Sequence, residues 1–239
     1  MKYKDLLYIG MIGSIIAVVG GLGAQGMAGM TSLASGNLTQ AFTGTDTGEM
    51  ADSLEDALPE IREGVEKGMP YAILQFAGYV LFAVGFVGVW QLTKRGLILA
   101  AAIAFALFAI ATLVAFVILP GAMENLVDIL RDMQEDEQFD TLPMSLIILG
   151  GVGILSLVFQ LGGCVAGGYE NFRIGKELDH DFLRGSGMLL MVGAVAAFIP
   201  LIGVYILLVA VILTGIGFYL LATRISEEIG QGPSTTASA

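Results

Sequence analysis

The side chains that could perform covalent or metal chemistry are few in this chain. Its 239 residues include one cysteine, Cys164, and one histidine, His180. A lone cysteine excludes an internal disulfide and a multi-cysteine metal site. Cys164 and the nearby serines lack an acid or base at the same depth of their apolar segments, which an activated nucleophile requires. The sequence therefore predicts that the protein is not an enzyme and holds neither a metal nor a cofactor.

Glutamines are the strongest polar groups in or near the apolar segments. Gln25, Gln75 and Gln160 could each donate hydrogen bonds to a neighbouring helix, which in a membrane contributes about 0.6–2 kcal/mol. The alternative is that they line a small polar cavity. We favour helix-to-helix bonding, because the central parts of the apolar segments contain no ionisable residue that would mark an ion or proton path.

Small residues recur at four-residue spacing in the same segments. Gly20 and Gly21 each have an alanine four positions away, and Gly163 and Gly167 form a GxxxG pair. Glycine faces let helices approach closely in lipid and pack by dispersion. The pattern predicts that these four glycines pack helices together, within the chain, in a homo-oligomer or against a membrane partner.

The composition defines the solvent of these elements. Hydrophobic residues make up 56% of the chain, charged residues 14%, and the mean hydropathy is +0.81, whereas soluble domains carry roughly 25% charged residues. A net charge of −11 with eleven Lys and Arg excludes nucleic acid as a partner. The expected environment is a lipid bilayer.

Apolar stretches of about 20 residues are long enough to cross the roughly 30 Å of hydrocarbon in a bilayer. The pattern predicts one all-α transmembrane domain over 1–222 and a disordered cytoplasmic tail over 223–239. The last apolar block is too long for one crossing and contains Pro200, so we divide it into a hairpin; a five-span bundle with one long kinked helix is the alternative. The six expected spans are 6–28, 70–92, 97–119, 144–166, 182–199 and 204–222.

Charge predicts the orientation. With six spans, eight cations fall on the side that holds both termini and three on the other side. The positive-inside rule then places both termini in the cytoplasm of a multi-pass plasma-membrane protein. The first span also resembles a secretory signal peptide, although its apolar run is long for one; we expect a retained helix.

Two acidic outer loops, 31–69 and 121–142, carry helical apolar periodicity. Leu54, Leu58, Ile61 and Val65 form one such stripe, and we expect amphipathic helices that lie on the membrane surface or on each other. Two alternatives are an acidic vestibule for cations and a weak calcium site formed by Asp132, Asp136 and Asp140. Asn37 begins a glycosylation sequon on the side that we place outside.

The inner loop, 169–181, mixes apolar and charged residues. Its pattern predicts a short helix at the membrane interface, which anchors in the headgroups or docks a partner. Pro120 and Gly121 are expected to separate the third span from the second outer helix.

A family resemblance runs through the second and last spans. The residues that carry it are the segments Gly78-Tyr79-Val80-Leu81-Phe82 to Trp90-Gln91-Leu92, Phe172-Arg173-Ile174-Gly175-Lys176, and Leu183-Arg184-Gly185-Ser186-Gly187 onward. Over roughly 70–222 the chain resembles an archaeal integral-membrane family known as domain of unknown function 996. The resemblance implies an archaeal membrane protein and brings no catalytic residues. The glycine faces and the lack of ionisable groups inside the spans favour a non-enzymatic scaffold or accessory subunit; the alternative is a channel or facilitator for a small neutral or cationic solute with an acidic outer vestibule.

Overall fold

The computed structural model describes residues 2–34, 47–134, 144–196 and 202–230, and this part of the chain is entirely helical, with six helices and no strand. The all-α prediction is confirmed. The helices are α1 (Tyr3–Ala34), α2 (Thr47–Thr93), α3 (Gly96–Gln134), α4 (Met144–Glu177), α5 (Asp181–Ala196) and α6 (Ile202–Gly230).

Among the described helices, α1, α2, α3, α4 and α6 are long and apolar enough to cross a membrane. The remaining helix, α5, has 16 described residues, or about 24 Å at ~1.5 Å per residue. It packs antiparallel on α6: a side chain added at Gly193 would meet Leu207, and one added at Gly217 would meet Leu183. The last apolar block is therefore two helices, as the hairpin predicts, and not one kinked rod. The connection at Pro200 lies outside the described residues.

The chain divides into two compact units, and the first consists of Met1–Val18, Ala77–Ala106 and Phe159–Ala239. In this unit each helix packs antiparallel against the next in sequence. Helix α6 returns to α1, where Tyr8 and Tyr219 have ring centroids 6.0 Å apart. A side chain at Gly10 would touch Gly85 and Phe218. The start of α1 and the later part of α6 thus lie at the same end of this unit.

The second unit consists of Val19–Phe76 and Leu107–Val158. Leu54 and Val127 form a buried cluster with Leu58 and Leu126, so the apolar stripes of α2 and α3 face each other. Cross-helix pairs Arg62–Glu124 and Arg131–Glu55 flank this cluster. The predicted amphipathic segments are helical, and they pair with each other.

Two predicted helix boundaries are wrong. Helix α2 runs through Pro59 and Pro70, and α3 runs through Pro120, so the outer amphipathic segments are continuations of the spans and not separate surface helices. Proline costs a helix one backbone hydrogen bond and a steric adjustment, and packing by neighbouring helices allows a membrane helix to continue through it. Gly68, near Pro70, faces the ring of Phe116 in α3.

The inner loop also differs from the prediction. The segment expected as a short interfacial helix is the end of α4, which continues to Glu177. A turn follows, in which Asp179 has a φ of 48°, and α5 begins at Asp181. Residues 169–177 are thus packed into the first unit. The carboxylate of Glu170 is buried there, whereas the sequence predicted no buried carboxylate.

Candidate functional site

A buried carboxylate lies at the end of the first unit that holds the α2–α3 turn. The side chain of Glu170 in α4 is 2% exposed, and its Oε2 accepts a hydrogen bond of 3.2 Å from Nη1 of Arg95. Nη2 of Arg95 donates to Oε2 of Glu177 at 2.5 Å, and Nε of Arg173 donates to the other oxygen of Glu177 at 3.2 Å. One arginine thus joins two carboxylates one to two helical turns apart.

Local structure explains how these groups meet. Arg95 lies in the two-residue turn between α2 and α3, where Lys94 takes a left-handed φ of 57°. The amide of Lys94 closes the turn by donating to the carbonyl of Trp90 at 2.7 Å. Sequence analysis missed Glu170, although a signal was present. Gly163, Gly167, Glu170 and Ile174 follow a helical i, i+4, i+7, i+11 spacing, which places Glu170 on the packed face of α4.

The electrostatics of Arg95 and Glu177 favour their charged forms. The hydrogen bond to Glu177 raises the pKa of Arg95 above its ordinary value. The hydrogen bond from Arg95 lowers the pKa of Glu177, with a further contribution from Arg173. Glu177 lies beyond the apolar stretch 144–166, at the end of α4, and Arg95 lies in the turn between α2 and α3. Through these ion pairs the cluster fastens α4 to the α2–α3 turn.

Aromatic rings fill the interior of the first unit. Phe82, Phe86, Phe105 and Phe218 are each at most 1% exposed. Their ring centroids lie 5.1–5.7 Å apart in edge, tilted and stacked arrangements, within the range for favourable aromatic pairs. The four rings come from α2, α3 and α6, so they occupy the space where a solute path between these helices would run.

The predicted packing glycines lie at helix contacts or are buried. A side chain at Gly20 would meet the backbone of Gln75, one at Gly163 would meet Phe105, and one at Gly167 would meet Phe86. Gly21 is buried. By contrast, side chains at Gly150, Gly151 and Gly153 would meet nothing within 4 Å. These three glycines on α4 therefore pack no described helix.

The structure describes the predicted polar residues only in part. Gln75 and Gln160 are half-buried. The side chain of Gln25 and all of Asn37 lie outside the described part, as do Asp136 and Asp140. Two buried serines bond to their own helices: Ser14 donates to the carbonyl of Met11 at 2.7 Å, and Ser186 to that of Leu183 at 3.0 Å.

Carboxylates dominate the paired segments of the second unit. The described segments 47–69 and 121–134 hold ten Asp and Glu against three Lys and Arg. All three cations are paired: Arg62 with Glu124, Arg131 with Glu55 and Lys67 with Glu63. Across the described ranges, no group of three or more His, Cys, Asp or Glu side chains is placed to hold a metal ion. Six of the remaining carboxylates are exposed and form an acidic surface: Glu49, Asp52, Asp56, Glu66, Asp128 and Asp132.

These features define a multi-pass helical membrane protein with a filled core. Comparison with protein-family models, with curated proteins and with solved structures finds no significant match for this chain.

Proposed function

We propose that the protein is a non-enzymatic membrane scaffold or accessory subunit. The observation that carries this proposal is the filled interior of the first unit. Four buried phenylalanines occupy the space between α2, α3 and α6, and helix backbones meet at Gly10 and Gly85. A close-packed interior supports a structural role, because a solute pathway needs space and polar groups along its length.

The acidic surface of the second unit is the part that we assign to partner binding. Asp56, Glu66 and Asp128 are exposed, and no described side chain forms an ion pair with them, because the three cations of these segments are paired with other carboxylates. Like charges on two helices held together by an apolar seam create a fixed negative field. The partner that such a field favours is a protein with a cationic outer surface.

The same reasoning proposes the membrane placement. Lys94, Arg95, Arg173 and Lys176 lie at the end of the first unit that also holds the start of α1. Because cytoplasmic ends carry the excess of Lys and Arg, we assign this end to the cytoplasm, with both termini there, in a plasma membrane. Membership of the archaeal family that the chain resembles remains part of this proposal.

A solute-flux assay distinguishes the scaffold from the alternative, which is a channel or facilitator. In that alternative the ten outer carboxylates would form a vestibule. The full chain is reconstituted into liposomes, and efflux of K⁺ and of glycerol is compared with protein-free vesicles. We expect no protein-dependent flux. Flux that falls when Gln75→Ala or Gln160→Ala is introduced would establish a polar path and reject the scaffold proposal.

Charge-neutral variants test the partner surface. The full chain is purified in mild detergent from its native membrane, alongside the double variant Asp56→Asn/Glu66→Gln. A matched control, Asp179→Asn/Glu228→Gln, removes the same charge from the proposed inner side. We expect a co-purifying membrane protein whose yield falls in the first variant and not in the control. Equal yields in all three preparations would contradict the assignment of the acidic surface.

A further inference from the structure

A cavity of about 200 Å³ lies at the inner end of the first unit, between α2, α4 and α6. Most of its wall is aliphatic, and three polar side chains complete it. The lining residues are Val89, Leu92, Thr93, Ile174, Glu177, Leu178, Leu221 and Arg224.

The apolar wall continues the faces that build the aromatic core. Val89 lies one turn beyond Phe86 on α2, and Leu221 lies one turn beyond Phe218 on α6, so both continue the helix faces that carry the aromatic rings. An apolar cavity of about 150 Å³ is large enough to hold benzene. This cavity is therefore large enough for a hydrocarbon segment, and its walls offer that segment little else than dispersion contacts.

The three polar side chains of the wall differ in how many of their hydrogen-bonding groups remain free to bind a ligand. Thr93 donates its hydroxyl to the carbonyl of Val89 at 3.0 Å, and Glu177 is bound by two arginines. Arg224 uses Nη1 on the carbonyl of Leu178 at 3.0 Å. A guanidinium has five donors, and among the described side chains Arg224 has no carboxylate partner. The side chains of Glu227 and Glu228, which follow it on α6, lie outside the described part.

We propose that this cavity binds one anionic amphiphile, with its hydrocarbon against Val89 and Leu221 and its carboxylate or phosphate on Arg224. A guanidinium fits both anions in a bidentate manner, and basic sites between helices on the cytoplasmic side are suited to anionic headgroups. The proposal rests on the membrane placement above and does not depend on the scaffold role. It therefore survives if the flux assay finds transport.

Native mass spectrometry of the detergent-purified full chain tests the site. The probes are short-chain phosphatidylglycerol, phosphatidylcholine with the same chains, decanoate and inorganic phosphate. We expect one bound copy of an anionic amphiphile, at least about tenfold tighter than phosphatidylcholine, which is the size expected for a charged hydrogen bond. Preference for phosphatidylglycerol identifies a membrane lipid as the source, and preference for decanoate identifies a free fatty acid. Equal binding of phosphatidylcholine, or binding of inorganic phosphate alone, overturns the proposal.

Matched variants locate the binding. Arg224→Gln should weaken binding about tenfold, while Lys176→Gln, which removes the same charge outside the cavity wall, should leave it unchanged. Leu92→Phe fills the cavity from its rim and should abolish binding, while Leu97→Phe enlarges a side chain that does not line the cavity. Because Arg224 also binds the end of α4, fluorescence of Trp90 checks that each variant is folded. Equal losses in Arg224→Gln and Lys176→Gln, or full binding by folded Leu92→Phe, would refute the site.

Discussion

Removing Arg95 should harm the fold far more than removing its buried partner. In Arg95→Gln, Glu170 stays 2% exposed and loses the only ion pair that the described side chains give it, whereas Glu177 keeps Arg173. In Glu170→Gln, Arg95 keeps Glu177, and the new amide oxygen can still accept from Nη1. The two single variants therefore differ in kind: one leaves a buried charge alone and the other does not.

The geometry gives the size of this difference. Removing one partner of a buried pair costs about 3–5 kcal/mol, and the 22% exposure of Arg95 places the value for Arg95→Gln near the lower end, about 3 kcal/mol. Replacing a charged hydrogen bond by a neutral one in Glu170→Gln should cost about 1 kcal/mol. In the double variant no charge is left alone at position 170. It should therefore be more stable than Arg95→Gln although it carries one more substitution.

Equilibrium unfolding of the full chain in mixed micelles measures the free energy of unfolding of the unsubstituted protein, the two single variants and the double variant. The chain has one tryptophan, Trp90, which lies five residues before Arg95 and reports on this end of the first unit. Arg173→Gln is the control, since its pair with Glu177 is exposed and should contribute below about 1 kcal/mol. If Arg95→Gln and Glu170→Gln cost the same and their costs add in the double variant, Glu170 is not a buried partner of Arg95.

Three further outcomes follow from the same structure. Gly85→Ala should destabilise the protein by about 3 kcal/mol or more because its Cβ would meet Phe218 and the backbone of Gly10, whereas Gly151→Ala, with open space, should stabilise α4 by up to about 1 kcal/mol; thermal unfolding compares them. The pKa of Glu177 is lowered from its ordinary 4.5, so its ion pairs stabilise the fold above that pH and are lost as the pH falls through the lower folded value; Glu177→Gln should therefore be less stable at pH 7 and flatter below about pH 4.5 in the Trp90 assay. In sealed vesicles, an impermeant maleimide should label Lys4→Cys and Lys176→Cys from one face and Glu66→Cys from the other, while buried Cys164 stays unlabelled; labelling of Lys4→Cys together with Glu66→Cys would reject the topology.

Hydropathy predicted the fold class because the free-energy cost of exposing the apolar side chains of a segment to water follows from their types. The same measure could not predict where α2 and α3 end. Pro70 and Pro120 are breakers by local propensity, but whether a helix continues through them depends on what packs beside it. Such packing is tertiary information, and for Gly68 it involves Phe116, 48 positions away.

Local sequence was also insufficient to predict which charged side chain of the site is buried. Glu170 fell within the segment that the sequence predicted as a short interfacial helix, whereas its side chain is buried and paired with Arg95. Its partner Arg95 lies 75 positions earlier, so no local window contains both. The helical spacing of Glu170 from Gly163 and Gly167 predicts that Glu170 lies on the packed face of α4. This prediction can be made only if α4 is known to continue past the apolar stretch. Glu170 lies seven residues before the end of α4.

The two units are held by different forces, which bears on how a scaffold of this kind would work. In the first unit, aromatic rings and glycine contacts exclude water, and an ion-pair cluster that includes a buried carboxylate fastens its inner end. In the charged part of the second unit, one seam of Leu54, Leu58, Leu126 and Val127 is flanked by exposed ion pairs, each worth about 0–1 kcal/mol. The cationic partner proposed above would meet the exposed carboxylates of this unit, and the buried seam behind them would keep α2 and α3 paired when it binds.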